Sequence, residues 1–123
     1  MGRIYNTSGG FRRLHSFNFT TIIHLGTISF CKRYIPWKQD PLGKSVGQMI
    51  GASRSGKQNI IEGSERAKTS SETEIKLTDV AKASLSELQG DFEDYLVQRG
   101  QVPWSIHDKN HKAVSAIMLD EFA

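Results

Sequence analysis

The segment whose residue types come nearest to a chemical motif is Gly51-Ala52-Ser53-Arg54-Ser55-Gly56-Lys57-Gln58. A phosphate-cradling P-loop needs this glycine spacing, the lysine for the phosphates, a Ser or Thr next to it for Mg²⁺, and a β-strand leading in. Gln58 stands where the metal ligand belongs, and the segment lies inside a helix-period pattern. A glycine-containing helix with its lysine in solvent is therefore expected. His107 and His111 are four residues apart, which on a helix suits two ligands of one metal, but no third ligand accompanies them and surface histidines are expected. His24 and Cys31 could form a Cys/His pair, yet a nucleophile also needs an orienting partner and an oxyanion site. The apolar setting of Cys31 predicts an inert core thiol. Glu62 has no second carboxylate for acid–base work. With Asn59 and Gly63 it is expected to fix a turn or a subunit contact, through hydrogen bonds and a charge pair with Arg66. No catalytic residue, cofactor or metal is expected.

Binding is a better reading than catalysis. Residues 1–68 hold 11 lysines and arginines against three acids, a net of +8, whereas residues 69–123 hold five against ten, a net of −5. The chain is a dipole in sequence, and its total of +3 conceals this. Arg12, Arg13, Lys44, Arg54, Lys57, Arg66 and Lys68 form the candidate basic surface. Clustered cations without an aromatic stacking ladder predict sequence-independent, salt-sensitive contact with an RNA or DNA backbone. The competing reading pairs these charges with the acidic third helix or with a protein partner, so that the two halves meet between copies.

These residues must be carried by helices. Met1 to Gly10 has no periodic apolar pattern and reads as a flexible arm. From Phe11, apolar residues recur at three- and four-residue steps toward Tyr34, which predicts a helix ending before Pro36; a strand over Phe17 to Ile23 is the competitor. Asp40-Pro41 reads as an N-cap and first turn. Val46, Met49, Ile50, Ser53, Lys57, Ile60 and Ile61 then share one side of a second helix. Gly43, Gly47, Gly51 and Ser55 line another side and predict a flat groove for close approach of a helix from the same or a neighbouring chain. Gly63 is read as the left-handed residue that ends this helix. Ser71 with Glu74 has capping-box spacing. A third helix follows with Leu77, Ala81, Ser84, Leu88, Phe92 and Tyr95 or Leu96 in a stripe, running to about Gln98 and stopping at Gly100. Asp108 caps a short fourth helix whose Val114, Ile117, Met118 and Phe122 share a face. The expected fold is all-α, an antiparallel up-down four-helix bundle over residues 11–123.

With 123 residues, 37% hydrophobic, and a mean hydropathy of −0.42, a monomer has a thin core and self-association is expected. No apolar run reaches the roughly 20 residues of a membrane span. One cysteine excludes an internal disulfide, and a cytoplasmic setting is expected.

The stretch from Ala52 to Ser64, with Asn59-Ile60-Ile61-Glu62-Gly63 at its end, resembles a known family, as do Glu74-Ile75-Lys76-Leu77 and Ala83-Ser84-Leu85-Ser86-Glu87-Leu88. The family is that of four-helix-bundle proteins encoded within intervening sequences of bacterial 23S ribosomal RNA genes, and the similarity extends over about residues 11–104. The resemblance implies a bundle that forms a ring, usually a pentamer, with no established enzymatic activity. A more distant relative is the accessory protein of diversity-generating retroelements, whose basic ring binds nucleic acid and a reverse transcriptase. A non-enzymatic accessory to a ribosomal-RNA element or a reverse transcriptase is the implied role.

Overall fold

The computed structural model describes residues 15–122. The arm expected over residues 1–10 and the start of the first helix at Phe11 lie outside them. Four helices follow in order: α1 (His15–Tyr34), α2 (Lys44–Arg66), α3 (Ser71–Gln98) and α4 (Lys109–Phe122), with no strand among the described residues. The strand alternative for Phe17 to Ile23 is thereby overturned.

α2 packs extensively on α3 and less extensively on α1, and no other pair of helices packs comparably. Both seams are antiparallel. His24 meets Ser53 while Cys31 clusters with Met49, and Ser55 meets Ser84 while Gly63 approaches Leu77. The apolar centre is small: Cys31, Met49 and Leu88 are buried together, with Phe30, Ile50, Leu85 and Phe92 packed around them. Phe30 also meets Phe92 and Tyr95 edge-on, each at 4.9 Å between centroids, which joins α1 to α3.

Much of the buried face of α1 is polar. Thr20, Thr21 and Thr27 are buried and their hydroxyls donate to the carbonyls of Phe17, Phe17 and Ile23 at 2.7–2.9 Å. Satisfying each hydroxyl on the helix's own backbone lets a threonine enter the interior.

The helix ends show where local chemistry differs from the sequence reading. α2 starts at Lys44, not Pro41, and its N-cap is Gly43 in the left-handed region at φ 66°. Asp40 still caps it from upstream, accepting from the backbone N–H of Ser45 at 3.1 Å and of Val46 at 3.0 Å. Gly63 does not end α2; the helix continues to Arg66 and closes through Ala67 N–H to the Gly63 carbonyl. Gly63 is buried in the α2–α3 seam, where an added Cβ would sit 3.4 Å from Leu77 Cβ. The cap of α3 is Ser70, which accepts from Thr73 N–H at 3.1 Å, so the Ser71/Glu74 box is not formed. The end of α3 is as expected. Gly100 at φ 70° places its N–H on the Val97 carbonyl and that of Gln101 on the Leu96 carbonyl, a Schellman closure.

Candidate nucleic-acid interface

The described cations are strung along and beyond α2. Lys44 begins the helix, Arg54 and Lys57 sit near its middle, Arg66 is its last residue, and Lys68 follows in the connector. From Lys44 to Arg66 the helix rises about 33 Å. Arg54 and Lys57 are the pair brought together, beside α1, where both act electrostatically on His24. Lys57 also lies over the Phe17 ring, 5.8 Å from its centroid. Arg12 and Arg13 lie outside the described residues. Among the described residues the ion pair formed is Lys76–Glu72 on α3, so Lys44, Arg54, Lys57, Arg66 and Lys68 have no carboxylate partner. The expected Glu62–Arg66 pair is not made: both side chains are exposed and the helix places them where water solvates each. Asn59 does not fix a turn either. It lies within α2 and donates to the Ser55 carbonyl at 2.8 Å and to Ser55 Oγ at 3.2 Å.

His24 is engaged by Ser53, not by Cys31. Its Nδ1 is 2.8 Å from Ser53 Oγ, and Ser53, fully buried, donates its hydroxyl to the Ile50 carbonyl at 2.8 Å. The Ser53 proton is committed to the backbone, so Nδ1–H is the donor, which the Nδ1–H neutral ring and the protonated ring both provide. Burial pushes the His24 pKa below 6.5, and the charges of Lys57 and then Arg54 push it further down. An unfolded chain therefore takes up this proton at a higher pH than the folded one. The stabilisation is present above pH 6.5 and is lost as pH falls through the folded value. Urea unfolding between pH 7.5 and 5 is expected to show falling stability, with His24→Gln flattening that decline. A decline of equal steepness in the variant would show that His24 does not carry it.

Cys31 is buried with its pKa raised, first by burial and then by Asp40. The Gly51–Gln58 segment lies inside α2 with no strand before it among the described residues, which removes the P-loop reading. His107 precedes α4 in a turn and His111 lies in its first turn, so the one-turn helical pairing is not formed. No group of three possible metal ligands occurs among the described residues.

An acidic edge lies on the α2–α3 side. Glu87, Asp91 and Asp94 of α3 line a groove against Gln48, Gly51 and Ser55 of α2. Asp91 is raised from 3.8 by burial and by its neighbours Asp94 and Glu87, which have no cation to offset them among the described residues. Two residues here were not singled out by sequence. Arg99 stacks on the Tyr95 ring at 3.5 Å and donates to Gln39 Oε1 at 3.2 Å, tying the α1–α2 connector to the end of α3. Asn18 is completely buried, and neither its amide nitrogen nor its oxygen has a hydrogen-bond partner among the described residues. An arginine near an aromatic is weakly visible in sequence; an orphaned amide is not.

The fold defines a four-helix all-α protein with a short last helix. No helix among the described residues is long and apolar enough to cross a membrane. The chain matches no protein-family model, and no curated protein or solved structure is significantly similar to it.

Proposed function

We propose that the chain is a non-enzymatic helical protein that assembles with copies of itself and offers a basic surface to the RNA or DNA backbone. The observation that carries this reading is the adjacent pair Arg54 and Lys57 on the α1–α2 edge, with no acidic partner among the described residues. The resemblance at Asn59–Gly63 and Ala83–Leu88 adds the ring, pentameric by preference, and the role of accessory to a ribosomal-RNA element or a reverse transcriptase. A non-catalytic reading is supported by the committed Ser53 hydroxyl and by the isolated, exposed Glu62.

A duplex oligonucleotide held by about three phosphate contacts in total is expected to bind about 40-fold more weakly at 200 mM salt than at 50 mM, and more steeply if several copies engage it. Two unrelated sequences are expected to bind alike. Fluorescence anisotropy on the assembled protein tests this, with Arg54→Glu/Lys57→Glu abolishing binding. Absence of salt-sensitive binding ends the nucleic-acid reading.

The second reading is a protein-partner scaffold. It is favoured by the uncovered small-residue surface on α2 and α3, where no atom approaches within 4 Å of a Cβ built on Gly47, Gly51 or Gly90. In that case the same double reversal disrupts assembly or partner capture and leaves no nucleic-acid binding to lose.

A further inference from the structure

Among the described residues, two apolar surfaces match each other and do not meet. One is a groove between α1 and α3, floored by Ile23, Leu85, Phe92 and Leu96 and edged by Gln89 and Glu93. The other is the face of α4, where Val114 is 50% and Ile117 is 68% exposed.

Length and charge fit the two together. Groove-lining residues from Leu85 to Leu96 extend about 17 Å along α3, and the 14 residues of α4 extend about 21 Å. By sequence α4 opens with Lys109 and Lys112 and carries Asp120 and Glu121 near its end, so an antiparallel pairing brings its lysine-bearing end to Glu93 on the groove edge, which among the described residues is met by the Gln89 amide at 3.1 Å. The chain's own α4 does not use this fit. The connector gathers Val102, Pro103 and Trp104 with His111 around Leu96 and Gly100, which starts α4 beside the end of α3; Pro103 borders the Leu96 end of the groove and the stretch from Leu85 to Phe92 stays open.

We propose that α4 of one copy occupies the α1–α3 groove of a second copy, antiparallel to α3, with its lysines toward Glu93. Three helices of one chain and the fourth of another then complete each bundle. Reciprocal exchange closes a two-fold pair, and donation in one direction closes a larger ring. The inference rests on the self-assembly part of the reading above and is independent of nucleic acid.

The full chain carrying Gln89→Cys and Ala113→Cys, treated with a short bismaleimide, tests the exchange, since native Cys31 is buried. The expected product is covalently joined chains, at twice the 13.8 kDa chain mass or a higher multiple. Ile117→Asp, at an exposed position, is expected to remove that product and reduce the light-scattering mass to one chain with helicity unchanged. A bridge closed within single chains, no bridge, or a single-chain mass at every concentration overturns the proposal. An assembled protein whose bridge is internal overturns the exchange alone and leaves the assembly reading standing. Joined chains that fail to bind oligonucleotide overturn only the nucleic-acid reading.

Discussion

Leu88→Ala is expected to lower the free energy of unfolding by about 3 kcal/mol. Leu88 is 3% exposed and belongs to the small buried cluster with Cys31 and Met49, where α1, α2 and α3 all contribute. Truncation loses transfer free energy and leaves a cavity that three packed helices cannot all close at once. The effect is large because the total is small. Domains are stable by only about 5–15 kcal/mol, and this one leaves Leu25, Trp37, Leu42 and Val97 exposed. Urea unfolding followed by helicity should show the midpoint shift, with Leu25→Ala and Val97→Ala changing stability by less than about 0.5 kcal/mol. A shift below about 1 kcal/mol for Leu88→Ala would place the stabilising contacts elsewhere.

The second large effect separates two glycines one and a half turns apart. Gly56→Val is expected to destabilise by about 3 kcal/mol, since inserted volume in a packed seam forces side chains off their rotamers. A Cβ at Gly56 would lie 2.7 Å from Leu85 Cδ2 and 2.9 Å from Leu85 Cγ. Gly51→Ala should instead stabilise by about 1 kcal/mol, because its Cβ meets nothing within 4 Å and alanine favours the helix. Thermal unfolding of both variants, with Leu85→Ala alone and combined with Gly56→Val, closes a double-mutant cycle. Simple additivity in that cycle would rule out the Leu85 contact as the cause.

The same glycines show what was legible in the sequence. The four-residue repeat Gly43, Gly47, Gly51 correctly marks a surface without side chains, but that surface is open. The close approach falls at Gly56 and Gly63, seven residues apart and therefore nearly on one line with Met49 and Ser53, which face the core. The stripe of α3 was readable because its apolar residues recur with the helical period, and its stop was readable because Gly100 has the conformation only glycine takes easily. Both ends of α2 were misread for one reason: a capping residue acts through space. Asp40 reaches its N–H partners across a left-handed Gly43, and Gly63 answers to Leu77, a tertiary neighbour that no local rule foresees. Charge division was legible, but the geometry was not. Arg54 and Lys57 lie together while Lys44 and Arg66 stand at opposite ends of α2, and the helix period alone does not say which edge has company.

The threonine-lined face of α1 has a consequence for the order of assembly. Phe17, Thr20, Thr21, Thr27 and Cys31 are poor helix formers, and hydroxyls bonded to the carbonyls three or four residues back offer the backbone little help. As an isolated segment α1 is expected to be coil. The α2–α3 hairpin, joined by a short connector and sharing the longest seam, is the native pairing with the lowest entropic barrier. α1 acquires its helix on that template, so a ribosome releasing this chain delivers first the segment that must wait longest for its structure.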